Sequence, residues 1–132
     1  MDTPFQIGID IVSVSRIREA IKRQGKRFLD RIFTKAEQAY CEPKRNKFEN
    51  YAARFAAKEA VIKAKKGGPG RYAFRDIEVI RGLNGAPSIK ISAEARRKLR
   101  ISSDAYFELT MAHERDFAVA AVVLFEAPKA RR

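Results

Sequence analysis

The nine-residue run FAVAAVVLF at residues 117–125 constrains the fold most, because it offers no polar face to water. A membrane-spanning helix needs roughly 20 apolar residues, so we interpret the run as a buried strand. A strand that is apolar on both faces must be covered on both faces. We expect a helix on one side, and other strands or another subunit on the other side. Together with residues 106–113 the run predicts a hairpin that turns near Arg115 and Asp116.

A second strand, IGIDIV at residues 7–12, contains a charge within an apolar run. Strand alternation assigns Ile7, Ile9 and Ile11 to one face, and Gly8, Asp10 and Val12 to the other. A carboxylate that is removed from water is stable only beside a cation or several hydrogen-bond donors. Asp10 therefore predicts a partner that comes from elsewhere in the chain.

Caps and turn residues predict the other elements. We predict helices at about 14–24, from Thr34 to before Pro43, at about 47–66 and from Ser92 to about Arg100, with strands at 77–81 and 87–92 around a turn at Asn84 and Gly85. The predicted fold is α+β, with an antiparallel sheet packed against a long helix plus shorter helices. At 132 residues the chain suits one core. We expect a single domain at 1–126 and a flexible basic tail at 127–132.

The long helix contains a second misplaced carboxylate. Its apolar stripe consists of Phe48, Ala52, Phe55 and Ile62, and the position that would complete the stripe holds Glu59. One interpretation is a pair between Glu59 and Lys63 at i+4, with Asp10 capping a turn. The other is that Glu59 and Asp10 both face inward and bind a hard divalent cation. Mg²⁺ suits such a site, because it takes one or two carboxylates and fills its other positions with water and phosphate.

The charge balance predicts a polyanionic partner. The chain has 28 lysines and arginines against 16 acidic residues, a net charge of +12. Nucleic acid, an anionic membrane, a phosphorylated cofactor and an acidic protein all fit this charge. We find no zinc-finger, homeodomain or RNA-binding pattern, so we expect no specific nucleic-acid partner. The basic helix at 14–24 lacks bulky aromatic residues, so we expect no membrane insertion.

The cellular setting follows from two weaker features. Cys41 is the only cysteine, so no internal disulfide forms. The first residues, MDTPFQ, do not have the pattern of a secretory signal. We therefore expect a cytoplasmic protein.

The segment KKGGPGR at residues 65–71 places glycines between basic side chains, which suits a phosphate ligand. The segment follows a helix and does not match the Walker pattern, which argues against a nucleotide triphosphatase. On its own such a segment ends a helix more often than it binds phosphate. His113, the only histidine, has no serine or cysteine motif beside it, which argues against a nucleophilic triad.

Together, the blocks IGIDIV, RFAAKEAVIKA, NGAP and TMAH resemble the holo-acyl-carrier-protein synthases, the small bacterial phosphopantetheinyl transferases. The resemblance covers about residues 7–125. It implies transfer of 4'-phosphopantetheine from coenzyme A to a serine of an acidic apo acyl carrier protein. It also implies Mg²⁺, release of adenosine 3',5'-bisphosphate, and a homotrimer with active sites in the clefts between subunits. Fatty-acid and polyketide carrier proteins both stay open as acceptors.

The resemblance also implies roles for individual residues. Asp10 and Glu59 match the metal-binding carboxylates, and Lys63 matches a lysine near the coenzyme A pyrophosphate. Arg16 and Arg23 match residues that meet the acidic helix of the carrier protein. Cofactor contacts are implied for Arg54, Lys63, Lys66, Gly67, Gly68, Gly70, Arg71, Asn84, Pro87 and His113. The implied catalytic residues are Glu59, Lys63 and His113, and Glu59, His113 and a metal-bound water stay open as the base.

Overall fold

The described residues form two antiparallel sheets around one long helix. The computed structural model describes residues 4–66, 68 and 70–127. Its elements are β1 (Phe5–Ser13), α1 (Val14–Gln24), α2 (Lys26–Ile32), α3 (Lys35–Cys41), α4 (Lys47–Ala64), a 3₁₀ turn (Phe74–Asp76), β2 (Glu78–Arg81), β3 (Pro87–Lys90), α5 (Ala93–Leu99), β4 (Tyr106–His113) and β5 (Phe117–Phe125). The predicted tail lies outside the described residues apart from Ala127. Within the described residues, no helix is both long and apolar enough to cross a membrane.

The apolar run forms a strand, as predicted, and this strand is the central one of the larger sheet. The strand order is β1-β5-β4, and both pairings are antiparallel. One face of β5 is buried and packs in the core with α4 through Ala118, Ala120, Val122 and Leu124. The opposite face of β5 is only half-buried within this chain. The predicted helix therefore covers one face, and the other face of the sheet is open in the single chain.

A glycine in β1 allows α4 to lie directly on the sheet. A Cβ atom added to Gly8 would collide with the backbone oxygen of Ala60, so no other residue fits there without a shift. Because side chains alternate along a strand, Asp10 shares this helix-facing side with Gly8. The other side of β1 carries Ile7, Ile9 and Ile11, which are 62%, 60% and 66% exposed.

The long helix is buried on more sides than its predicted stripe suggests. Phe48, Phe55 and Ile62 are only half-buried, whereas the alanines of α4 and even Arg54 and Lys58 are fully buried. Small side chains let strands and helices approach α4 closely on several sides, so burial does not follow one stripe. The helix also ends at Ala64, two residues before the predicted end at 66.

Most of the shorter elements agree with the caps that predicted them. Thr34 and Glu37 form the predicted capping box at the start of α3, and the Ser92 side chain accepts a hydrogen bond from the amide of Ala95 in α5. The sequence analysis missed α2. Gly25 ends α1 with φ of 60°, and α2 begins at the next residue. Because Gly25 was interpreted only as the end of a helix, the helix that begins directly after it was not predicted.

Candidate active site

Asp10 on β1 and Glu59 on α4 lie close to each other where the strand crosses the helix. Lys63 donates a hydrogen bond from Nζ to Oδ1 of Asp10 at 2.8 Å, and a second to the carbonyl oxygen of Ile9 at 3.3 Å. The interpretation in which Lys63 pairs with Glu59 is therefore wrong, because its ion pair is with Asp10. The Glu59 carboxylate forms no hydrogen bond with any described residue.

The two carboxylates influence each other electrostatically. Burial raises the pKa of Glu59, the charge of Asp10 raises it further, and the charge of Lys63 lowers it. The hydrogen bond to Asp10 raises the pKa of Lys63, which keeps its ammonium group protonated. The two carboxylates repel each other, and a cation between them would relieve this repulsion. The oxygens of Glu59 are available to bind it, because they form no hydrogen bond with a described residue.

The donor set fits Mg²⁺ better than a metal that needs a full protein cage. The described residues contain no group of three or more histidine, cysteine, aspartate or glutamate side chains that could hold a metal ion. Mg²⁺ usually keeps several waters and binds through one or two carboxylates together with substrate phosphates. Asp10 and Glu59 would hold such an ion, and the substrate would supply the remaining ligands.

A cavity of about 650 Å³ joins these carboxylates to the basic helix. Asp10 and Glu59 line it together with Arg16 and Arg23 of α1, and Phe28 and Phe55 form part of its apolar wall. Both arginines are exposed. The structure thus brings together the predicted metal ligands, which lie 49 positions apart in the chain, and the predicted docking residues.

A second cavity, of about 280 Å³, contains the other cluster of predicted residues. Arg54, Pro87 and His113 line it, and so does Arg81, which the sequence analysis missed. The Nδ1 atom of His113 lies 3.1 Å from Oε2 of Glu49. This contact leaves the other ring nitrogen of His113 free for the cavity or for solvent.

The described residues of the glycine-rich segment line neither cavity. Lys66, Gly68, Gly70 and Arg71 are exposed, Gly67 lies outside the described residues, and Asn84 is exposed at the tip of the β2–β3 hairpin. The amide of Lys66 donates to the side chain of Gln6, and Nζ of Lys65 donates to Glu126. These two bonds fix the beginning of the segment to the sheet.

Helix geometry explains why the predicted residues fall into two groups. An α-helix turns by about 100° per residue, so Arg54 and Glu59 point in directions roughly 140° apart. One chain therefore cannot direct both side chains into the same cavity. The spacing of residues 54 and 59 on the predicted helix already indicates this separation, which the sequence analysis overlooked.

Two further basic side chains were missed. Lys58 forms a fully buried ion pair with Glu37, and Arg81 is the last residue of β2. The available signal for Lys58 was a lysine within the alanine-rich part of α4. The signal for Arg81 was a charge three residues before Asn84.

Comparisons with known proteins show the family of the chain and agree with its fold. The family model of the 4'-phosphopantetheinyl transferase superfamily matches residues 6–122. A holo-[acyl-carrier-protein] synthase of Halothermothrix orenii is 43% identical over 117 residues, which cover 89% of this chain and 94% of the relative. The Helicobacter pylori holo-[acyl-carrier-protein] synthase in complex with coenzyme A superimposes with a TM-score of 0.76 at 35% identity, covering 89% of this chain and 98% of the other. The synthase–coenzyme A complex of Chronobacterium ammoniagenes superimposes with a TM-score of 0.82 at 28% identity, covering 96% and 100%.

Proposed function

The chain belongs to the 4'-phosphopantetheinyl transferase superfamily as a holo-[acyl-carrier-protein] synthase, and we propose that its transfer of phosphopantetheine from coenzyme A requires Mg²⁺ and releases adenosine 3',5'-bisphosphate. The acceptor is an acyl carrier protein. We propose that its reacting group is a serine hydroxyl.

The observation that carries the proposal is the contact between Lys63 and Asp10, with Glu59 facing the same carboxylate. This arrangement places two negative charges and one positive charge at the end of a cavity whose rim holds Arg16 and Arg23. The exposed arginines attract an acidic carrier protein, and the carboxylates would hold the cation beside the pyrophosphate. When it is bound, Mg²⁺ supplies a Lewis acid that neutralises the phosphate oxygens.

The reaction requires one substitution at phosphorus. The serine oxygen attacks the phosphorus that bears pantetheine, and a new O–P bond forms. The P–O bond to the nucleotide breaks, and its electron pair leaves with adenosine 3',5'-bisphosphate. Lys63 would donate hydrogen bonds to the phosphate oxygens as their charge develops, so that catalysis is chiefly positioning and electrostatic stabilisation.

The serine proton needs an acceptor. Glu59 has a carboxylate that forms no hydrogen bond with any described residue, and it lies in the cavity that the docking arginines share. His113 lies in the other cavity of the same chain. Within a single chain these positions favour Glu59 as the acceptor, whereas in a trimer His113 of a second subunit stays a candidate beside it.

We include a homotrimer in the proposal, with each active site shared between two subunits. The separation of Arg54, Pro87 and His113 from Glu59 supports it, because a second subunit could bring its own copy of that cavity to the carboxylates. The open face of the larger sheet also supports it. Three exposed isoleucines of β1 lie on this face, and a contiguous apolar surface of this kind marks an interface.

The activity is tested by mixing the chain with coenzyme A and an apo acyl carrier protein, with Mg²⁺ or with EDTA. Intact mass spectrometry follows the carrier, and chromatography follows the nucleotide. We expect a Mg²⁺-dependent gain of one phosphopantetheine and an equal amount of adenosine 3',5'-bisphosphate. Transfer at the same rate in EDTA would contradict the role of the metal, and no transfer to any carrier would contradict the activity.

Glu59→Gln is the variant that tests the site. It removes the charge and keeps the shape, so we expect transfer to fall by about 100-fold or more. Glu94→Gln, in the exposed first turn of α5, is the matched control and should keep full activity.

Light scattering of the purified chain tests the trimer, and Ile9→Lys should shift the mass towards the monomer.

A further inference from the structure

Three cations surround the ring of Tyr40. The Cζ atom of Arg54 lies 4.1 Å from the ring centroid, Nζ of Lys44 lies 4.4 Å from it, and Cζ of Arg81 lies 5.2 Å from it. They come from α4, from the segment between α3 and α4, and from the end of β2. None of these three side chains forms an ion pair with another described residue. We call these four residues the Tyr40 cluster.

The Tyr40 cluster contains positive charge that is not neutralised by an ion pair with any described residue. Arg54 is only 1% exposed, and its Nε atom has no hydrogen-bond partner. Among the described residues, its side chain forms one hydrogen bond, a long one from Nη1 to the carbonyl oxygen of Asn50 at 3.5 Å. The Arg81 side chain donates to the carbonyl oxygen of Gly85 and to no other described residue. A buried guanidinium with an unpaired N–H group, beside other cations, requires an anion.

A buried ion pair determines how the Tyr40 cluster is assembled. Lys58 donates from Nζ to Glu37 at 2.8 Å and to the carbonyl oxygens of Phe74 and Ile77. Glu37 accepts a further hydrogen bond from the amide of Val79. This layer fixes α3, α4 and β2 to one another.

The Tyr40 cluster lies beside this buried ion pair, on the same three elements. Tyr40 lies three residues after Glu37, Arg54 lies four residues before Lys58, and Arg81 lies two residues after Val79. Each step returns to the same side of a helix or strand. The buried pair therefore sets the register in which two guanidinium groups meet on one ring.

We propose that Tyr40 is a positioning residue, whose ring holds Arg54 and Arg81 side by side so that they bind a phosphate group of coenzyme A together. The ring attracts each cation to its face, which offsets their mutual repulsion before the ligand arrives. Planar guanidinium groups held in this way direct their N–H groups into the cavity that Pro87 and His113 also line. Tyr40 itself does not touch the ligand.

This inference rests on the proposed function, because it assumes that coenzyme A enters this cavity. The experiment measures the binding of coenzyme A to the intact protein by calorimetry, and then the kinetics of transfer. Tyr40→Phe keeps the ring and should bind as the wild type does. Tyr40→Leu removes the ring, and we expect the Kd and KM for coenzyme A to rise by about tenfold while kcat stays within about twofold.

Arg81→Gln is the second variant, at an exposed position where folding is not at risk. It should weaken binding by a similar factor, and Tyr40→Leu should add little in that background, because the ring acts through the arginine. Three results would overturn this inference while leaving the proposed function intact. They are equal losses of binding in Tyr40→Phe and Tyr40→Leu, unchanged binding in Tyr40→Leu, and additive losses in the double variant. A wild-type chain that does not bind coenzyme A would overturn the proposed function as well.

Discussion

Nζ of Lys63 lies 2.8 Å from Oδ1 of Asp10, so a lysine near the end of α4 neutralises a carboxylate from β1. Glu59, one turn earlier on the same helix, faces that aspartate without any hydrogen bond of its own among the described residues. The strand and the helix thus build a site with one excess negative charge. An excess of negative charge favours the binding of a divalent cation. Because Asp10 comes from β1 and Glu59 from α4, the site exists only where these two elements are in contact.

Lys63→Gln should separate catalysis from stability. Lys63 is 53% exposed, so the loss of its pair should change the free energy of unfolding by no more than about 1 kcal/mol. Transfer should fall by about 100-fold, because the charge that stabilises the reacting phosphate is gone. Steady-state kinetics and urea unfolding measure the two effects.

Removal of Lys63 also frees Asp10, so added Mg²⁺ should raise the Tm of the variant more than that of the wild type. Lys26→Gln, which breaks the exposed pair with Asp30, is the control. Activity near the wild-type level in Lys63→Gln would refute its role at the phosphate.

Charge reversal on α1 should weaken the encounter with the carrier protein. Arg16→Glu and Arg23→Glu each place a negative charge at the rim of the first cavity. At low ionic strength we expect the KM for the carrier to rise by about tenfold or more, with little change in kcat. The difference from the wild type should shrink as salt is added, because the charges are exposed and become screened. Arg97→Glu on α5 is the matched reversal, and an equal effect there would show that only net charge matters.

The loss of the buried lysine should be costly. Lys58→Met leaves the Glu37 carboxylate buried without its cation, so we expect the free energy of unfolding to fall by about 3 to 5 kcal/mol. Lys47→Met breaks an ion pair of the same type at the surface and should cost less than about 1 kcal/mol. In the Lys58→Met background, Glu37→Gln should restore part of the loss because it removes the uncompensated charge. Equal unfolding midpoints in denaturant for the two lysine variants would contradict the buried pair.

Gly8→Ala should damage the fold and the site together. The added methyl group would collide with the backbone of Ala60, so β1 must move away from α4. We expect a loss of about 2 kcal/mol or more in the free energy of unfolding. Transfer should also fall, because Asp10 is two residues further along the same face. Gly82→Ala is the control, since the nearest atom there belongs to the Asn84 side chain at 3.3 Å. A Gly8→Ala protein with unchanged activity and stability would show that the contact is not tight.

The carboxylate of Glu126 should make stability depend on pH. Burial raises its pKa, but hydrogen bonds from the amide of Ser102 and from Lys65 outweigh burial and hold the pKa below its ordinary value of 4.5. A lowered pKa contributes stability that is fully present above pH 4.5 and is lost as the pH falls through the folded-state pKa.

Glu126→Gln should therefore be less stable than the wild type by about 1 to 2 kcal/mol at pH 7, and the difference should disappear in acid. Urea unfolding at a series of pH values, at one protein concentration, measures it. A difference that does not change with pH would mean that the charge of Glu126 contributes nothing. Glu108→Gln, at an exposed position of β4, is the control.

The sequence by itself determined most of the local structure. The Thr34 capping box, the Ser92 cap and the hairpin around Asn84 and Gly85 depend on hydrogen bonds and backbone angles within a few residues, so neighbours in the chain suffice to predict them. The two misplaced carboxylates, Asp10 and Glu59, were visible for a similar reason, because each interrupts a local apolar pattern.

The tertiary structure alone decided which groups meet. It paired Lys63 with Asp10 rather than with Glu59, buried Lys58 against Glu37, and brought Arg81 to the ring of Tyr40. It also brought Pro87 and His113 to the cavity of Arg54, and Arg16 and Arg23 to that of Glu59. These contacts depend on how far α4 is rotated about its axis and on the register of strands that are distant in the chain. No local pattern encodes that rotation or register, because both result from the packing of all the elements at once.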